Sequence, residues 1–429
     1  MPGGTFIQNL MASRLVRQMV ETIFHNRARR RLAALDQEPI YRSQVRTLVG
    51  LVHQGRKTRF GQDHDFGRIH TIRDFQRLVP LRTFAQLFQE FWDTDLPDRD
   101  NSTWPHIPFA ALIKRTTDRF QGVHGPSAER HLQEVPLSPA LLEFHGRAAL
   151  TALGMVGKCK PRAPLLLGRI VLLGKEMGLQ KRGGVTLGSL ESLAISQLPV
   201  FLKPSISGPV DLNSSNGPGP EKIIKDLMQS PVTCLAGAAN RIARFVTQVQ
   251  TVSRGRTLTE VWPHLAAVIY TRDFSRVNRK QIVNAMGQSG ILVMEALFRP
   301  EGPIAIEDPR HELLRLLPDH GVFFEFIPSE EIGQTNPRRF SVGEIEPGVP
   351  YRMALTSPGI WACLVEGRIR FERCDPPLFE VVDQPAQPEK TLSQSVLQIP
   401  GQPLPAHEAL DSGFPVGYGQ RGIFGRVPI

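Results

Sequence analysis

Residues 321–328 read GVFFEFIP, and this stretch decides how the region around it folds. Aromatic and β-branched residues fill its interior, which is typical of a strand, and Pro328 ends the run because proline has no N–H to donate to a sheet. Three further runs of β-formers follow between residues 351 and 373, separated by Pro-Gly and Glu-Gly turn signals. The sequence therefore predicts an antiparallel region over residues 320–382.

Upstream of this region the pattern changes to alternating strands and helices. Short apolar runs at 268–270, 291–294 and 304–306 indicate buried strands, and residues 221–229 and 235–252 have helical spacing. Because strands that alternate with helices are typical of α/β proteins, we expect an α/β body in the middle of the chain.

The N-terminal third contains several helix signals. Residues 6–34 have apolar positions at helical spacing and end in an arginine cluster at 27–31. Such a cluster attracts phosphates, but positive charge also stabilises the end of a helix without any ligand, so both interpretations stay open. Thr71 and Thr83 are predicted N-caps of two short helices, and Ser138-Pro139 begins a longer one.

Composition limits the classes of protein. The chain has 429 residues, 51 Lys+Arg against 41 Asp+Glu and a net charge of +10, which suits an anionic partner or reflects a solvated surface. Its four cysteines lie far apart without a CxxC pair, so zinc spacing and a disulfide framework are not supported and a cytoplasmic location is expected. No apolar run reaches the ~18 residues needed to span a bilayer.

Five stretches together resemble a known family. They are residues 58–87 (TRFGQDHDFGRIHTIRDFQRLVPLRTFAQL), 261–263 (VWP), 321–328 (GVFFEFIP), 351–361 (YRMALTSPGIW) and 371–382 (FERCDPPLFEVV). Their order and spacing resemble the auxin-responsive (Gretchen Hagen) family of acyl-acid amido synthetases, within the adenylate-forming superfamily.

The resemblance implies an α/β fold: an adenylate-forming ligase-like large domain, with mixed sheets flanked by helices plus an antiparallel β part, over residues 1–382. It also implies a two-step reaction in which a carboxylic acid attacks Mg·ATP to give an acyl-adenylate and an amine then displaces AMP. The C-terminal lid domain that closes over the adenylate has no counterpart, because residues 383–429 read as a Pro/Gly-rich tail.

The phosphate loop of the family corresponds here to Lys114, Arg115, Thr116 and Thr117. The family's Ser-Gly pair is replaced by Lys114 and Arg115, and Gln133 stands where its lysine is expected. Bulky side chains hinder the approach of backbone amides to phosphate, although the two cations and the threonine hydroxyls remain candidates for nucleotide binding.

The second family motif pairs an aromatic residue with a hydroxyl-Glu-Gly sequence. Glu301-Gly302 retains the carboxylate, which is the candidate Mg²⁺ ligand and nucleotide contact, since Mg²⁺ prefers oxygen ligands. The aromatic position is Leu297, and the hydroxyl position is Pro300. The alternative interpretation of Glu301 is a solvated turn residue.

The third family motif is a hairpin with two arginines and an aspartate that anchors the ribose. Here Ala362 and Leu364 replace the arginines, and Gly367 stands at the aspartate position. Glu366 lies one place earlier, on the opposite face of a regular strand, and is the remaining candidate for a ribose contact.

These replacements favour a degenerate, non-catalytic relative, a candidate pseudoenzyme that binds a small carboxylic acid, a nucleotide or a protein partner. The alternative is a working acyl-adenylating ligase with Mg-ATP as cofactor, in which the charged groups named above replace the lost contacts. A third hypothesis, with less support from the residues, is an interaction protein whose basic helix binds membrane or nucleic acid.

Overall fold

The computed structural model describes residues 14–93, 100–114, 132–175, 177–198, 202–212, 219–272, 279–286 and 290–383. The candidate nucleotide-binding residues Arg115, Thr116 and Thr117 and the predicted tail from residue 384 onward lie outside these ranges. All the described residues belong to one compact unit.

Two sheets organise the molecule. The larger sheet has eleven strands in the order β12-β13-β14-β15-β11-β10-β9-β8-β7-β3-β6, and the smaller has the order β2-β1-β5-β4. The strands are β1 Phe109–Lys114, β2 Leu132–Leu137, β3 Arg169–Leu173, β4 Gln180–Arg182, β5 Val185–Gly188, β6 Ile206–Val210, β7 Val232–Ala238, β8 Ala267–Thr271, β9 Leu292–Arg299, β10 Gly302–Asp308, β11 Leu313–Leu316, β12 Phe323–Pro328, β13 Pro350–Ser357, β14 Ile360–Cys374 and β15 Pro377–Asp383.

The larger sheet changes from parallel to antiparallel pairing at β9. Strands β6, β3, β7, β8 and β9 run parallel to one another, whereas β10 to β15 pair antiparallel. The predicted antiparallel region is therefore confirmed, and it continues the sheet of the α/β body through β9 and β10.

The described α-helices cover the parallel part and the two sheet faces. They are α1 Arg14–Gln37, α2 Ile40–Gly55, α3 Arg59–Asp63, α4 Ile72–Leu78, α5 Phe84–Leu87, α6 Pro139–Cys159, α7 Leu190–Ser196, α8 Pro220–Met228, α9 Ala239–Val252, α10 Leu258–Val261 and α11 Arg279–Met286. No helix in the described part of the chain is long and apolar enough to cross a membrane.

The predicted helix starts are confirmed by their capping contacts. Thr71 and Thr83 each form a reciprocal capping box with the residue three places on. Ser138 Oγ accepts a hydrogen bond from the N–H of Leu141 at 3.2 Å, with Pro139 in the first turn. These contacts are local, which is why the sequence pattern reveals them.

Two helix predictions need correction. The N-terminal helix predicted over 6–34 is Arg14–Gln37 in the described residues, so it continues past the arginine cluster. The helix predicted over 235–252 begins only at Ala239, because 235–238 belong to β7. This strand lies between β3 and β8 and is hydrogen-bonded on both sides, so sheet pairing overrides the local helical spacing.

The strand predictions after residue 360 also need correction. The runs at 361–365 and 368–373 form one strand, β14, because the Glu366-Gly367 signal marks a bulge and no turn. The register shifts from Arg352↔Arg368 to Ala354↔Leu364, and Gly367 has φ +93°. A glycine inside a strand commonly marks such a bulge.

Candidate functional site

The first predicted motif lies at a hairpin of the smaller sheet. Lys114 is the last residue of β1, and its register partner is Leu132, the first residue of β2. Val135 and Pro136, which close the motif in the sequence, lie on β2 opposite Ala111 and Ala110. The two described ends of the phosphate-loop stretch are therefore neighbours.

The second motif is the connection between β9 and β10. Glu301 is only 6% exposed, and its main-chain oxygen accepts a hydrogen bond from Ser357 Oγ at 2.6 Å. Gly302 has φ +157°, and a Cβ there would lie 2.9 Å from Val322 Cγ2. Because the turn is packed on both sides, the alternative interpretation of Glu301 as a solvated turn residue is wrong.

Leu297 occupies the position that the resemblance assigns to an adenine-stacking aromatic. It is 6% exposed and pairs with Ala305 across the β9–β10 ladder. Among the described residues no group of three or more His, Cys, Asp or Glu is placed to hold a metal ion. A Mg²⁺ at Glu301 would then depend on phosphate and water oxygens for its other ligands, as is common for this ion.

The third motif is the hairpin of β13 and β14. Trp361 is fully buried and contacts Phe60 and Phe66, with ring centroids 5.7 and 4.7 Å away. Ala362 is buried with φ +44°, and its N–H donates to Thr356 Oγ1 at 2.9 Å. The position of the first family arginine is thus built into the core.

Glu366 lies beside the bulge at Gly367, half-buried, and acts on a residue of the second motif. Burial lowers the pKa of Arg299, at the end of β9, and the negative charge of Glu366 partly offsets this shift. The carboxylate of Glu366 therefore helps to stabilise a buried guanidinium. This electrostatic role explains its presence without a ribose contact.

Three contacts bring the described parts of the motifs together. Ser138 Oγ, which follows β2, donates to the carbonyl oxygen of Pro358 in the third motif at 3.3 Å. Ser357, next to Pro358, donates to Glu301 in the second motif. His145, two turns into α6, makes a hydrogen bond to the backbone of Pro300. The start of α6 is therefore the common support of the site.

His145 is a residue that sequence reasoning missed. It is 6% exposed, burial lowers its pKa from 6.5 to about 4 against the effect of the Pro300 hydrogen bond, and its Nε2 atom has no hydrogen-bond partner in the described structure. The imidazole is neutral at pH 7. No motif includes it, and only the folded chain brings it to Pro300.

A second feature lies at the carboxyl ends of the parallel strands, where open α/β sheets commonly bind ligands. A pocket of about 130 Å³ is bounded by the end of β3, the end of β6 and the first turns of α9. Asp211 forms an ion pair with Arg241 at 3.6 Å, and Asn240 and Arg244 complete the polar wall. Because two guanidinium groups line it, the pocket suits a small anion. No sequence motif marks this pocket, because its residues come from three separate segments.

A buried polar network crosses β8, β9 and β10 beneath these sites. Arg272 donates to both carboxylate oxygens of Glu295 at 2.7 Å, and Tyr270 Oη donates to Glu295 Oε2 at 2.9 Å. Glu307 accepts from the N–H of Glu295 at 2.8 Å and from Arg279 Nε at 3.2 Å. Both carboxylates have partners, so the network holds the strands in register.

Comparison with known proteins agrees with this architecture. Residues 30–91 match the model of the GH3 family N-terminal domain. No curated protein matches the chain.

Among solved structures, the chain resembles the AtGH3.15 acyl acid amido synthetase in complex with 2,4-DB, with 13% identity, a TM-score of 0.59, and coverage of 82% of this chain and 69% of that one. It also resembles an open conformation of 2-hydroxyisobutyryl-CoA ligase in complex with 2-HIB-AMP and CoA, with 10% identity, a TM-score of 0.54, and coverage of 80% and 68%. At this identity the likeness establishes the fold, which is that of an adenylate-forming ligase body.

Proposed function

We propose that this chain, whose residues 30–91 match the GH3 family N-terminal domain, binds a small acid or its nucleotide conjugate without catalysing acyl adenylation. It keeps the ligase body as a binding scaffold. The observation that carries this proposal is the closed hairpin of β13 and β14.

The hairpin lacks the groups that the family resemblance assigns to the nucleotide. Ala362 is tied to Thr356 through its N–H, and Trp361 beside it fills the core. Restoring an arginine at residue 362 would require burying a charge in the hydrophobic core, which costs several kcal/mol without a partner. The packing therefore favours a protein in which the position of a nucleotide-binding arginine has become part of the hydrophobic core.

The pocket at the carboxyl ends of the parallel strands supports the binding role. Arg241 and Arg244 offer charged donors, and a volume of about 130 Å³ suits a carboxylate or phosphate head. The structural relatives bind molecules of this class, since one was solved with 2,4-DB and another with 2-HIB-AMP and CoA.

The test is ATP–pyrophosphate exchange with a panel of carboxylic acids, run beside calorimetric titrations of the same acids and of AMP. We expect no acid-dependent exchange and saturable binding of an acid or AMP. Replacing both Arg241 and Arg244 by Gln is expected to weaken binding by more than tenfold, because two charge-assisted hydrogen bonds are lost. Lys280→Gln is the matched control, since Lys280 is an exposed cation on α11 that does not line the pocket.

Acid-dependent exchange would refute the proposal in favour of the working ligase. The observation on that side is the convergence of the described motif residues on α6, with Glu301 retained in the second motif. In that case Glu301→Gln should abolish exchange, while Lys280→Gln should leave it unchanged.

A further inference from the structure

An apolar groove runs along the packed helices α1 and α6. It encloses about 760 Å³, within the range of ~300–1,000 Å³ that is usual for small-molecule sites. Three side chains in its lining are unusually exposed for their type: Met19 at 58%, Ile23 at 42% and Leu150 at 39%. Apolar surface gathered in one concave place indicates a binding site.

The two helices are antiparallel, so the groove has two distinct ends. A Cβ on Gly154 would lie 3.1 Å from Ala28 Cβ, and one on Gly157 would lie 3.0 Å from His25 Nδ1. Higher residue numbers on α6 therefore match lower numbers on α1. Because Gly154 has no side chain, α6 approaches Ala28 of α1 closely, and this contact forms the floor of the groove.

The end near the start of α1 is apolar. Met19 and Ile23 lie there, and Leu166 contributes to the lining. The one acidic group at this end is Glu21, which is 8% exposed and accepts hydrogen bonds from the N–H groups of Leu166 and Leu167 at 2.6 and 3.1 Å. The carboxylate is thus held by these main-chain N–H groups and by His25 Nε2 at 3.0 Å, and Glu21 is not part of the lining.

The other end is cationic, because Arg27, Arg31 and Arg147 all line it. Arg31 donates to Asp319 Oδ1 at 2.6 Å, and Arg147 donates to the main-chain oxygen of Asp319 at 3.3 Å. Arg27 is exposed and makes no hydrogen bond or ion pair with the described residues.

His320, which also faces Arg31, is buried, and burial lowers its pKa, so it stays neutral at pH 7. Of the three guanidinium groups that line the groove, only that of Arg31 pairs with a carboxylate among the described residues, the carboxylate of Asp319.

We propose that this groove binds a single-chain amphiphile with an anionic head, a long-chain carboxylate. The tail lies along Met19, Ile23 and Leu150, and the head lies against Arg27 and Arg147. A tail covers the exposed apolar side chains, and a carboxylate matches the surplus of positive charge at one end. This site is distinct from the anion pocket at β3, β6 and α9.

The experiment measures binding of saturated fatty acids from decanoate to palmitate to the full chain by calorimetry, below their micelle concentrations. We expect one saturable site. Its affinity should rise about fourfold per added methylene, the equivalent of burying one CH₂ group. The methyl ester of the same acid, which lacks the charge, should bind at least tenfold more weakly.

Two variants locate the site. Arg27→Gln should weaken palmitate binding about tenfold, since one charge-assisted hydrogen bond is lost. Arg30→Gln is its control on the same helix, because Arg30 is exposed and does not line the groove. Ile23→Glu should abolish binding, whereas Val49→Glu, at a residue 41% exposed on α2, should not. Circular dichroism of each variant verifies folding.

Several outcomes would overturn the proposal. Absence of saturable binding would do so, as would equal binding of acid and ester. Binding to mixed phosphatidylcholine–phosphatidylglycerol vesicles without binding of monomeric acids would assign the groove to a membrane surface. Concentration-dependent dimerisation that Ile23→Glu abolishes would assign it to a second copy of the chain.

Discussion

His145 makes the stability of this fold depend on pH in a way that one substitution can isolate. Its pKa is about 4 in the folded chain, lowered by burial from an ordinary value of 6.5. Between these two values the unfolded state binds more protons than the folded state. The free energy of unfolding must therefore fall as the pH falls from 6.5 to 4, with no contribution from His145 above this window.

The magnitude follows from the two pKa values. A difference from 6.5 to about 4 corresponds to about 3 kcal/mol when the imidazole is fully protonated, at ~1.4 kcal/mol per pH unit. That is a large part of the ~5–15 kcal/mol by which domains are usually stable. Asp36 contributes mainly below pH 4: burial raises the pKa of its carboxyl, but the hydrogen bonds from Arg310 and Arg315 outweigh burial and lower the pKa from 3.8 to about 2.

The variant His145→Gln separates the two effects. Glutamine keeps an N–H for the backbone of Pro300 but cannot take up a proton. Urea unfolding at intervals between pH 7.5 and 4 gives the free energy of unfolding of both proteins. The wild type should lose about 3 kcal/mol more than the variant across the window. Parallel pH profiles for the two proteins would refute the assignment of a neutral, buried imidazole at this site.

Three further predictions concern two buried side chains and the cysteine thiols. Trp361→Ala should lower the free energy of unfolding by about 3–5 kcal/mol in urea denaturation, because a fully buried indole leaves a cavity; a loss below ~1 kcal/mol would contradict the closed hairpin. Gln44→Leu should lower the free energy of unfolding by about 3 kcal/mol in the same assay, because three buried hydrogen bonds are lost. The side-chain oxygen of Gln44 accepts from the N–H of Phe324 on the edge strand β12 at 2.8 Å, and its nitrogen donates to the carbonyl oxygens of Pro318 and Val322. In thiol titration of the native protein, Cys159→Ala should remove the fastest phase, because Cys159 is the exposed cysteine, even with a pKa that burial raises above 9. Cys234→Ala should not alter that phase, because burial raises the pKa of Cys234 to about 12.

The sequence alone determined the features that depend on near neighbours in the chain. The caps at Thr71, Thr83 and Ser138 involve residues three places apart, so their patterns are legible before folding. The strand at 321–328 and the turn at Pro358-Gly359 are equally local, because β-formers and glycine act through their own backbone. The family motifs also preserve their order along the chain, and the match of residues 30–91 to the GH3 N-terminal domain and the α/β ligase-like fold agree with that order.

Only the tertiary structure decided what these segments do together. Residues 235–238 belong to β7 because the neighbouring strands hydrogen-bond them on both sides. Glu366 lies near enough to Arg299 to affect its pKa because the bulge in β14 and the end of β9 are close in the folded chain. The approach of His145 to Pro300 likewise exists only once the chain has folded. The arginine cluster at 27–31 is a further example. The sequence does not determine what these arginines bind, whereas helix packing places Arg27 and Arg31 at one end of an apolar groove. Contacts between distant residues are set by the shape of the whole core, and local propensity does not encode them.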